Sequence, residues 1–410
     1  MRILNFGSCN IDYVYSLDHI VAPGETEPSC GLNVFAGGKG LNQSIAIARA
    51  GAKVCHAGCI GNDGQFLADL LSGDGVDTSH LRKVDAKNGH AIIQVSSNGE
   101  NSIVIYPGSN AMITKEDADK VLADFSSGDI LLLQNEISNV EYIVNEANKK
   151  GMRVVLNPSP IDENILKIDF SKLSYIVLNE IEAERITGCA DERAALACFR
   201  RRYPELAVIL TLGKRGSIYG LGDESFYQPI FCVDVKDTTA AGDTYTGYFV
   251  AELSKGKDVR EAMKLASLAS AISVSRSGAS PSVPRMEEVV SALGVLKERP
   301  FTPADGTTKR KLIDFIDRNL ASVTLESLSA ALGYSAPYTG SLVRRYTGLS
   351  YTDYLVEMRM VKAAELLGAT NMSVSEIISE VGYENESYFR KKFVAKYGMR
   401  PLEFRKVYRK

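Results

Sequence analysis

The hydrophobic pattern changes kind once along this 410-residue chain, and that change limits its possible folds more than any other feature. Up to about residue 295, short apolar runs alternate with amphipathic stretches. Ile3–Phe6, Val54–Ala57, Ile130–Leu133, Val154–Leu156, Tyr175–Leu178, Val208–Thr211 and Ser217–Tyr219 read as strands, and Gly40–Arg49, Ile137–Lys149 and Arg193–Tyr203 as helices between them. The alternation predicts an α/β domain, doubly wound around a mostly parallel sheet with helices on both faces. Ala91–Val95 and Ser102–Tyr106 flank Ser96-Ser97-Asn98-Gly99 and read as a hairpin, a small β flap standing off that sheet. Lys297–Thr307, with Pro300, Pro303 and Gly306, reads as a linker, and beyond it every apolar pattern is helical. The expected division is therefore a first domain over 1–296, a linker over 297–307 and an all-α domain over 308–410.

The tail repeats itself. Leu325, Leu328, Leu332, Gly333 and Tyr334 recur as Val374, Ile377, Val381, Gly382 and Tyr383, each set giving a helix, a Gly turn and a second helix. That is a duplicated helix-turn-helix plan. Charge follows the division: from Phe301 onward 17 Lys and Arg face 12 Asp and Glu, a balance of +5, while the rest carries 30 against 38, or −8. Two halves of opposite sign point to different partners. The seven cysteines lack a C-x-x-C spacing and the four histidines form no cluster, which argues against zinc and disulfides. The opening residues turn polar too early for a signal peptide, and no run approaches a membrane span, so a cytoplasmic protein is expected.

The chemistry concentrates in Asp237-Thr238-Thr239-Ala240-Ala241-Gly242-Asp243-Thr244. There a small-residue turn leads from a β-rich segment (Phe226–Val235) into an apolar helix (Tyr245–Leu253). The N–H groups of Ala241, Gly242 and Asp243, at the positive end of a helix dipole, can neutralise a phosphoryl group while Asp243 accepts a hydroxyl proton. Gly37-Gly38-Lys39-Gly40-Leu41-Asn42-Gln43 opens another helix with room for a small ligand, and Lys39 and Asn42 supply donors. Asn10 and Asp12 are read as a loop after the first strand, and Glu136 follows the Ile130–Leu133 strand; together these groups suit a polyhydroxyl ligand. Asn179 and Glu182 suit phosphate oxygens and hydrated Mg²⁺, and Thr211-Leu212-Gly213-Lys214-Arg215-Gly216 can lie against a nucleotide. Walker-type and dinucleotide fingerprints are missing.

Over roughly 1–295 this set resembles the ribokinase and pfkB family of carbohydrate kinases. The resemblance implies a ribokinase-like fold, with Asn10, Asp12, Gly38, Lys39, Asn42 and Glu136 as sugar contacts and Ala91 and Ile93 of the flap covering the sugar. Asp243 becomes the base for the 5-hydroxyl of ribose, in a turn that includes Ala240, Ala241 and Gly242. Asn179, Thr211 to Gly216, Gly242 and Ser267 would line an ATP site, and Glu182 would act through Mg²⁺. A K⁺ ion would sit on Asp237, Thr239, Ser273, Arg276, Gly278 and Ser282, and flap pairing implies a homodimer.

Residues 308–410 resemble the AraC/XylS class of regulators, with two helix-turn-helix units (Leu325–Gly348 and Val374–Pro401) joined by a helix over Tyr354–Leu367. The resemblance implies double-stranded DNA as partner. Ser335 and Asn385 are expected N-caps; with Tyr388, Phe389 and Phe393 facing the core, Arg390 and Lys391 face a groove, aided by Lys392, Lys396, Arg344 and Arg345. Thr339, Gly340 and Ser341 depart from the class, Gly340 at a cost of about 1 kcal/mol, which points the first unit to phosphates rather than bases. Two other functions fit the same residues: a regulator that binds sugar without turnover, and a metabolic kinase whose tail serves assembly.

Overall fold

Alternation along single strands builds the core. Ile3, Ile130 and Leu132 point into one buried cluster, and Leu4, Phe6, Leu131 and Leu133 into another on the opposite face. A strand with both faces covered is apolar throughout, as these are. The computed structural model describes residues 1–97, 101–299, 306–383 and 385–408, in two compact units, Met1–Phe301 and Thr302–Lys410.

The first unit runs β1 (Ile3–Phe6), β2 (Asn10–Leu17), β3 (Gly31–Gly37), α1 (Lys39–Arg49), β4 (Val54–Ile60), α2 (Gln65–Gly73), β5 (Asp77–Lys83), β6 (Gly89–Ser96) and β7 (Asn101–Tyr106). Then come α3 (Lys115–Ala123), β8 (Ile130–Gln134), α4 (Val140–Lys149), β9 (Arg153–Asn157), β10 (Tyr175–Asn179), α5 (Glu180–Thr187), α6 (Glu192–Arg202) and β11 (Ala207–Thr211). It closes with β12 (Ser217–Leu221), β13 (Glu224–Gln228), β14 (Ile230–Phe231), α7 (Ala241–Ser254), α8 (Val259–Val274), α9 (Met286–Ala292) and β15 (Glu298–Arg299). The main sheet has the order β13-β12-β11-β10-β9-β8-β1-β4-β5, parallel from β11 to β5 with an antiparallel edge at β12 and β13. Strand order reverses at β1, which pairs with β8 on one side and β4 on the other. A crevice at the carboxyl ends of strands is expected at such a switch point.

The flap is larger than a hairpin. Its four strands lie in the order β3-β2-β6-β7, so Asn10 and Asp12 belong to a strand of this lid, not to a loop. Polar residues at both ends concealed β2 and β3, whose apolar runs, Tyr13–Tyr15 and Val34–Ala36, are short and largely unburied. Asn98 and Gly99 of the expected turn lie outside the described residues.

The expected linker begins as structure. Glu298 and Arg299 pair with Phe231 and Ile230, and Cys232 N–H donates to Lys297 O at 2.9 Å, so 297–299 belong to the first unit. Residues 300–305 lie outside the described residues. The second unit contains α10 (Gly306–Arg318), α11 (Leu325–Leu332), α12 (Ala336–Thr347), α13 (Tyr351–Ala369), α14 (Val374–Glu380), α15 (Glu386–Tyr397) and α16 (Pro401–Tyr408). It has two cores, one around Leu312, Ile316, Leu328 and Val343, the other around Met360, Ile377, Phe389 and Phe393. All seven cysteines are free, and no described helix is long and apolar enough to cross a membrane.

Candidate functional site

Close backbone approach at glycine brings the chemical groups together. At Gly40 a Cβ would lie 2.3 Å from Ser8 N, and Gly38 has φ +93°, so α1 can start directly against the end of β1. At Gly247 a Cβ would lie 2.4 Å from the Ala46 Cβ, so α7 packs tightly on α1. That contact carries Asn42 and Gln43 to Asp243, which is 7% exposed. Asn42 Nδ2 donates to Asp243 Oδ2 at 3.0 Å, and Gln43 Nε2 to Oδ1 at 2.9 Å. Asn42 Oδ1 is buried without a partner, an acceptor suited to a ligand hydroxyl.

Carboxylates surround the lysine. Burial works against the Lys39 ammonium, but Asp243, Glu136 and Glu182 outweigh it and raise its proton affinity. Glu136 Oε2 accepts from Ser8 Oγ at 2.5 Å and from Lys39 N at 2.9 Å. Burial raises the Glu136 carboxyl above its usual range despite Lys39. Burial, then the charge of Glu136, pushes Asp12 up to about 6. A Cβ at Gly37 would fall 2.1 Å from that carboxylate, so the glycine makes its space. Asp12 is in register with Ala91, and Ile93 lies two residues further on β6, on the same face of the lid. Asn10 Oδ1 accepts from Asn110 Nδ2 at 2.6 Å, so its NH₂ is the end left for a ligand.

A cavity of about 120 Å³ lies between Lys39, Asn179, Glu182, Thr211, Thr239, Gly242 and Asp243. A Cβ at Gly242 would meet nothing within 4 Å, so the glycine leaves open a cradle that a side chain would fill. The turn supplies fewer free donors than its sequence suggests, because Ala241 N–H donates to Thr238 O at 3.2 Å. The first-turn amides of Gly242 and Asp243 remain without partners inside α7. A larger cavity, about 480 Å³, opens between α6 and the β12–β13 edge but holds none of these groups.

Asn179 and Glu182 cap α5 reciprocally: Asn179 Oδ1 accepts from Glu182 N and Glu182 Oε2 from Asn179 N, both at 2.9 Å. Burial raises the Glu182 carboxyl, partly offset by that hydrogen bond and by Lys39. Around the expected nucleotide loop, Thr211 Oγ1 donates to Leu178 O at 3.2 Å, Leu212 is core, and Gly213 and Gly216 have positive φ. The Arg215 guanidinium turns inward to Glu180 and, at 3.0 Å, to Glu192, so its side chain braces the loop. Lys214 is lowered by burial and then by the nearby Arg299. Ser267 Oγ donates to Pro229 O at 2.9 Å.

The residues expected around a monovalent cation form two groups. Asp237 accepts from Thr239 N and Gly278 N, both at 2.9 Å, and from the Thr239 hydroxyl at 2.5 Å. Ser273 Oγ lies 2.8 Å from Ser282 Oγ and accepts from Thr244 Oγ1 at 3.2 Å. Carboxylate, hydroxyl and carbonyl oxygens without sulfur or imidazole suit a hard cation. The Arg276 side chain pairs with Glu288.

In the second unit Gly333 and Gly382 hold positive φ at the turns, as the repeat implied. Asn385 Oδ1 accepts from Tyr388 N at 2.9 Å; Ser335 occupies the N-cap of α12 without a side-chain bond. Phe389 and Phe393 are fully buried, but Tyr388 is 44% exposed, contrary to its expected core position. It sits one residue before Phe389, about 100° around the helix, at the edge of the face that Phe389 and Phe393 bury. Lys392 approaches the Tyr388 ring at 5.5 Å. Arg390 is outward, 3.0 Å from Glu386, and Lys391 is exposed. Lys396 is paired with Glu357, as Arg390 is with Glu386. Arg344 is exposed and Arg345 half-buried, and the Thr339 hydroxyl is buried with no partner.

Gln43, Asn157, Ser8 and Gln134 were not singled out from sequence. Gln43 lies inside the glycine-lysine motif, but its contact with Asp243 depends on how α1 meets α7.

The pfkB family carbohydrate kinase model matches residues 2–286, and a helix-turn-helix domain model matches 328–407. The chain is 38% identical over 300 residues to a ribokinase of Haemophilus influenzae, covering 70% of this chain and 96% of that protein. The crystal structure of a ribokinase from Cryptococcus neoformans var. grubii in complex with ADP superposes with TM-score 0.64 at 35% identity, covering 71% of this chain and 99% of that one. A ribokinase of Arabidopsis thaliana complexed with ribose and ATP superposes with TM-score 0.63 at 29% identity, covering 71% and 98%.

Proposed function

The chain belongs to the pfkB family of carbohydrate kinases, and on that premise we propose that it transfers the γ-phosphoryl group of ATP to the 5-hydroxyl of D-ribose. We infer further that its helix-turn-helix domain binds double-stranded DNA and couples the sugar to transcription. The observation that carries the reading is the Asp243 carboxylate, held by Asn42 and Gln43 beside Lys39 and the open cradle at Gly242.

Asn10, Asp12, Gly38, Lys39, Asn42 and Glu136 hold the sugar hydroxyls, and Ala91 and Ile93 close over them. Asp243 accepts the proton of the attacking hydroxyl as the new O–P bond forms and the bond to the β-phosphate oxygen breaks. Lys39 and the Gly242 and Asp243 amides stabilise charge on the moving phosphoryl group, and ADP leaves. Asn179, the 211–216 loop, Gly242 and Ser267 line the nucleotide. Glu182 would hold Mg²⁺ through water, and K⁺ would rest near Asp237, Thr239, Ser273, Gly278 and Ser282; both supply positive charge near the phosphates. Exposed apolar residues on the lid, among them Val34, Phe35, Ile103 and Val104, support its pairing with a second copy in a homodimer. A cytoplasmic enzyme fits this reading.

Purified protein with ATP, Mg²⁺ and a panel of ribose, 2-deoxyribose and other pentoses should release ADP fastest with ribose. No ADP with any sugar overturns the kinase reading in favour of a sensor; a different preferred pentose overturns the choice of ribose. Asp12 adds a pH test. As a hydroxyl acceptor it works as the carboxylate, so lowering the pH through about 6 protonates it and should raise the KM for sugar. An Asp12→Asn variant should have a higher KM whose pH dependence in this range is lost.

For DNA, Arg390→Ala and Lys391→Ala should each weaken promoter binding by ~1–3 kcal/mol, with a shallower salt dependence wherever a phosphate contact is lost. Gel shifts of the promoter upstream of the chain's own gene, across a salt series with and without ribose, measure this. Unchanged affinity in both variants would place the DNA contacts elsewhere.

A further inference from the structure

A buried chain of amides leads from the backbone of α1 to Asp243. Asn5 Nδ2 donates to Gly40 O at 2.8 Å, Gln134 Nε2 donates to Asn5 Oδ1 at 2.9 Å and to Gln43 Oε1 at 2.6 Å, and Gln43 Nε2 donates to Asp243 Oδ1 at 2.9 Å. Asn5, Gln134 and Gln43 have no solvent exposure. An amide side chain has a donor end and an acceptor end, and turning it over exchanges them. Here each end is dictated. The Gly40 carbonyl can only accept, so Asn5 must face it with NH₂ and offer its oxygen to Gln134. Gln134 must then donate, Gln43 must accept from it, and Gln43 is left with its NH₂ toward Asp243. A second chain gives the same answer. Asn157 Nδ2 donates to Val177 O at 2.9 Å, which turns Asn157 Oδ1 toward Gln43 Nε2 at 3.1 Å.

Gln134 is placed for this duty at some cost. Its Oε1 is buried without a partner, and a Cβ at Gly7 would lie 2.5 Å from that oxygen. A residue selected for stability alone would satisfy both ends of its amide. Amides do not relay protons at neutral pH, and the chain's other branch runs from Ser44 to the His56 imidazole, which burial lowers to about 4, and on to the buried Cys9 Sγ at 3.3 Å. The chain orients; it does not conduct.

Resting on the kinase reading above, we propose that Gln43, polarised by Gln134 and Asn157, is a positioning residue for the catalytic base: it presents a donor to Asp243 Oδ1, holding the carboxylate aimed at the sugar hydroxyl. Gln134 therefore governs catalysis without touching substrate or Asp243.

The test uses the full chain and whichever sugar the wild type turns over. Gln134→Glu keeps the shape but replaces an NH₂ that donates to both Asn5 and Gln43 with a carboxyl that donates at most one hydrogen bond. With Asn5 Oδ1 competing for that one donor, Gln43 loses what fixes its oxygen and can turn that oxygen toward Asp243. We expect kcat to fall about 10- to 100-fold with KM for sugar and ATP within twofold, and the acid limb of the kcat profile to move to higher pH. Gln134→Met removes one anchor while Asn157 keeps the orientation, so its loss should be smaller. Equal losses in both variants, an unmoved acid limb, or losses confined to KM would overturn the proposal. If Gln134→Glu does not fold, Gln43→Met carries the test by the same limb shift at unchanged KM. A readout without turnover separates this proposal from the kinase reading: the side-chain NH₂ resonance of Gln43, assigned by its loss in Gln43→Met, should move in Gln134→Glu and move less in Gln134→Met. No movement in Gln134→Glu sinks the amide chain even if the enzyme is active; movement with no ADP release from any sugar sinks only the kinase reading.

Discussion

Asp243→Asn is expected to lower kcat by ~10²–10⁴-fold, the range spanned by loss of a positioned general base. The substitution keeps the volume of the side chain, so lost activity cannot be assigned to a cavity. It removes the proton acceptor and also inverts one hydrogen bond, because both carboxylate oxygens already receive a donor, from Asn42 at 3.0 Å and from Gln43 at 2.9 Å. Whichever position becomes NH₂ then faces another NH₂. Sugar binding should survive, since Asp12, Glu136 and Lys39 are untouched, and calorimetric titration with ribose checks that separately from ADP release. A variant retaining more than a tenth of wild-type kcat would remove Asp243 from the role of base.

Much of that site could be read without coordinates, because the small-residue turns that hold it are local. The Gly37–Gln43 and Ala240–Asp243 motifs announced their own backbone needs, and the parallel sheet followed from apolar runs separated by helices. Long-range pairing was not legible. Asn10 and Asp12 look like a loop in sequence because they alternate with single apolar residues ahead of the short run Tyr13–Tyr15, and only pairing with β3 and β6 makes this segment a strand. Arg215 sat in a loop whose sequence looked ready for a nucleotide, yet two acidic residues from α5 and α6 draw its side chain inward. Tyr388 lies at the edge of the face that Phe389 and Phe393 bury, and an aromatic residue beside two others gives no sign in sequence of which one stays exposed. Gln134, at the end of an apolar strand, gave no local sign that its amide reaches toward Asp243 through Gln43.

Gly382→Ala is expected to abolish DNA binding while leaving sugar phosphorylation intact. Gly382 has φ +85°, a conformation that costs an alanine about 1 kcal/mol or more, and position alone adds a larger penalty. A Cβ there would lie 2.1 Å from Ala321 O and 2.7 Å from Ala321 C, which are backbone atoms and cannot rotate aside. Nor can that backbone retreat freely, because the Arg359 guanidinium holds Leu320 O at 3.0 Å and Ala321 O at 2.9 Å. The turn carries α14 into α15, so displacing it shifts Phe389 and Phe393 out of their core and moves Arg390 and Lys391 with them. Gly398→Ala is the control: φ is +71°, but nothing lies within 4 Å of the new Cβ, so it takes the conformational strain without the collision. Promoter gel shifts, ADP release and thermal unfolding of the full chain read the three consequences. Gly382→Ala should lose the shift and lower the unfolding midpoint of the second unit, with kcat at the wild-type level, whereas Gly398→Ala should keep most DNA affinity. Equal behaviour of the two variants would mean that glycine at 382 serves backbone conformation alone, and that the contact with Ala321 does not fix the second helix-turn-helix.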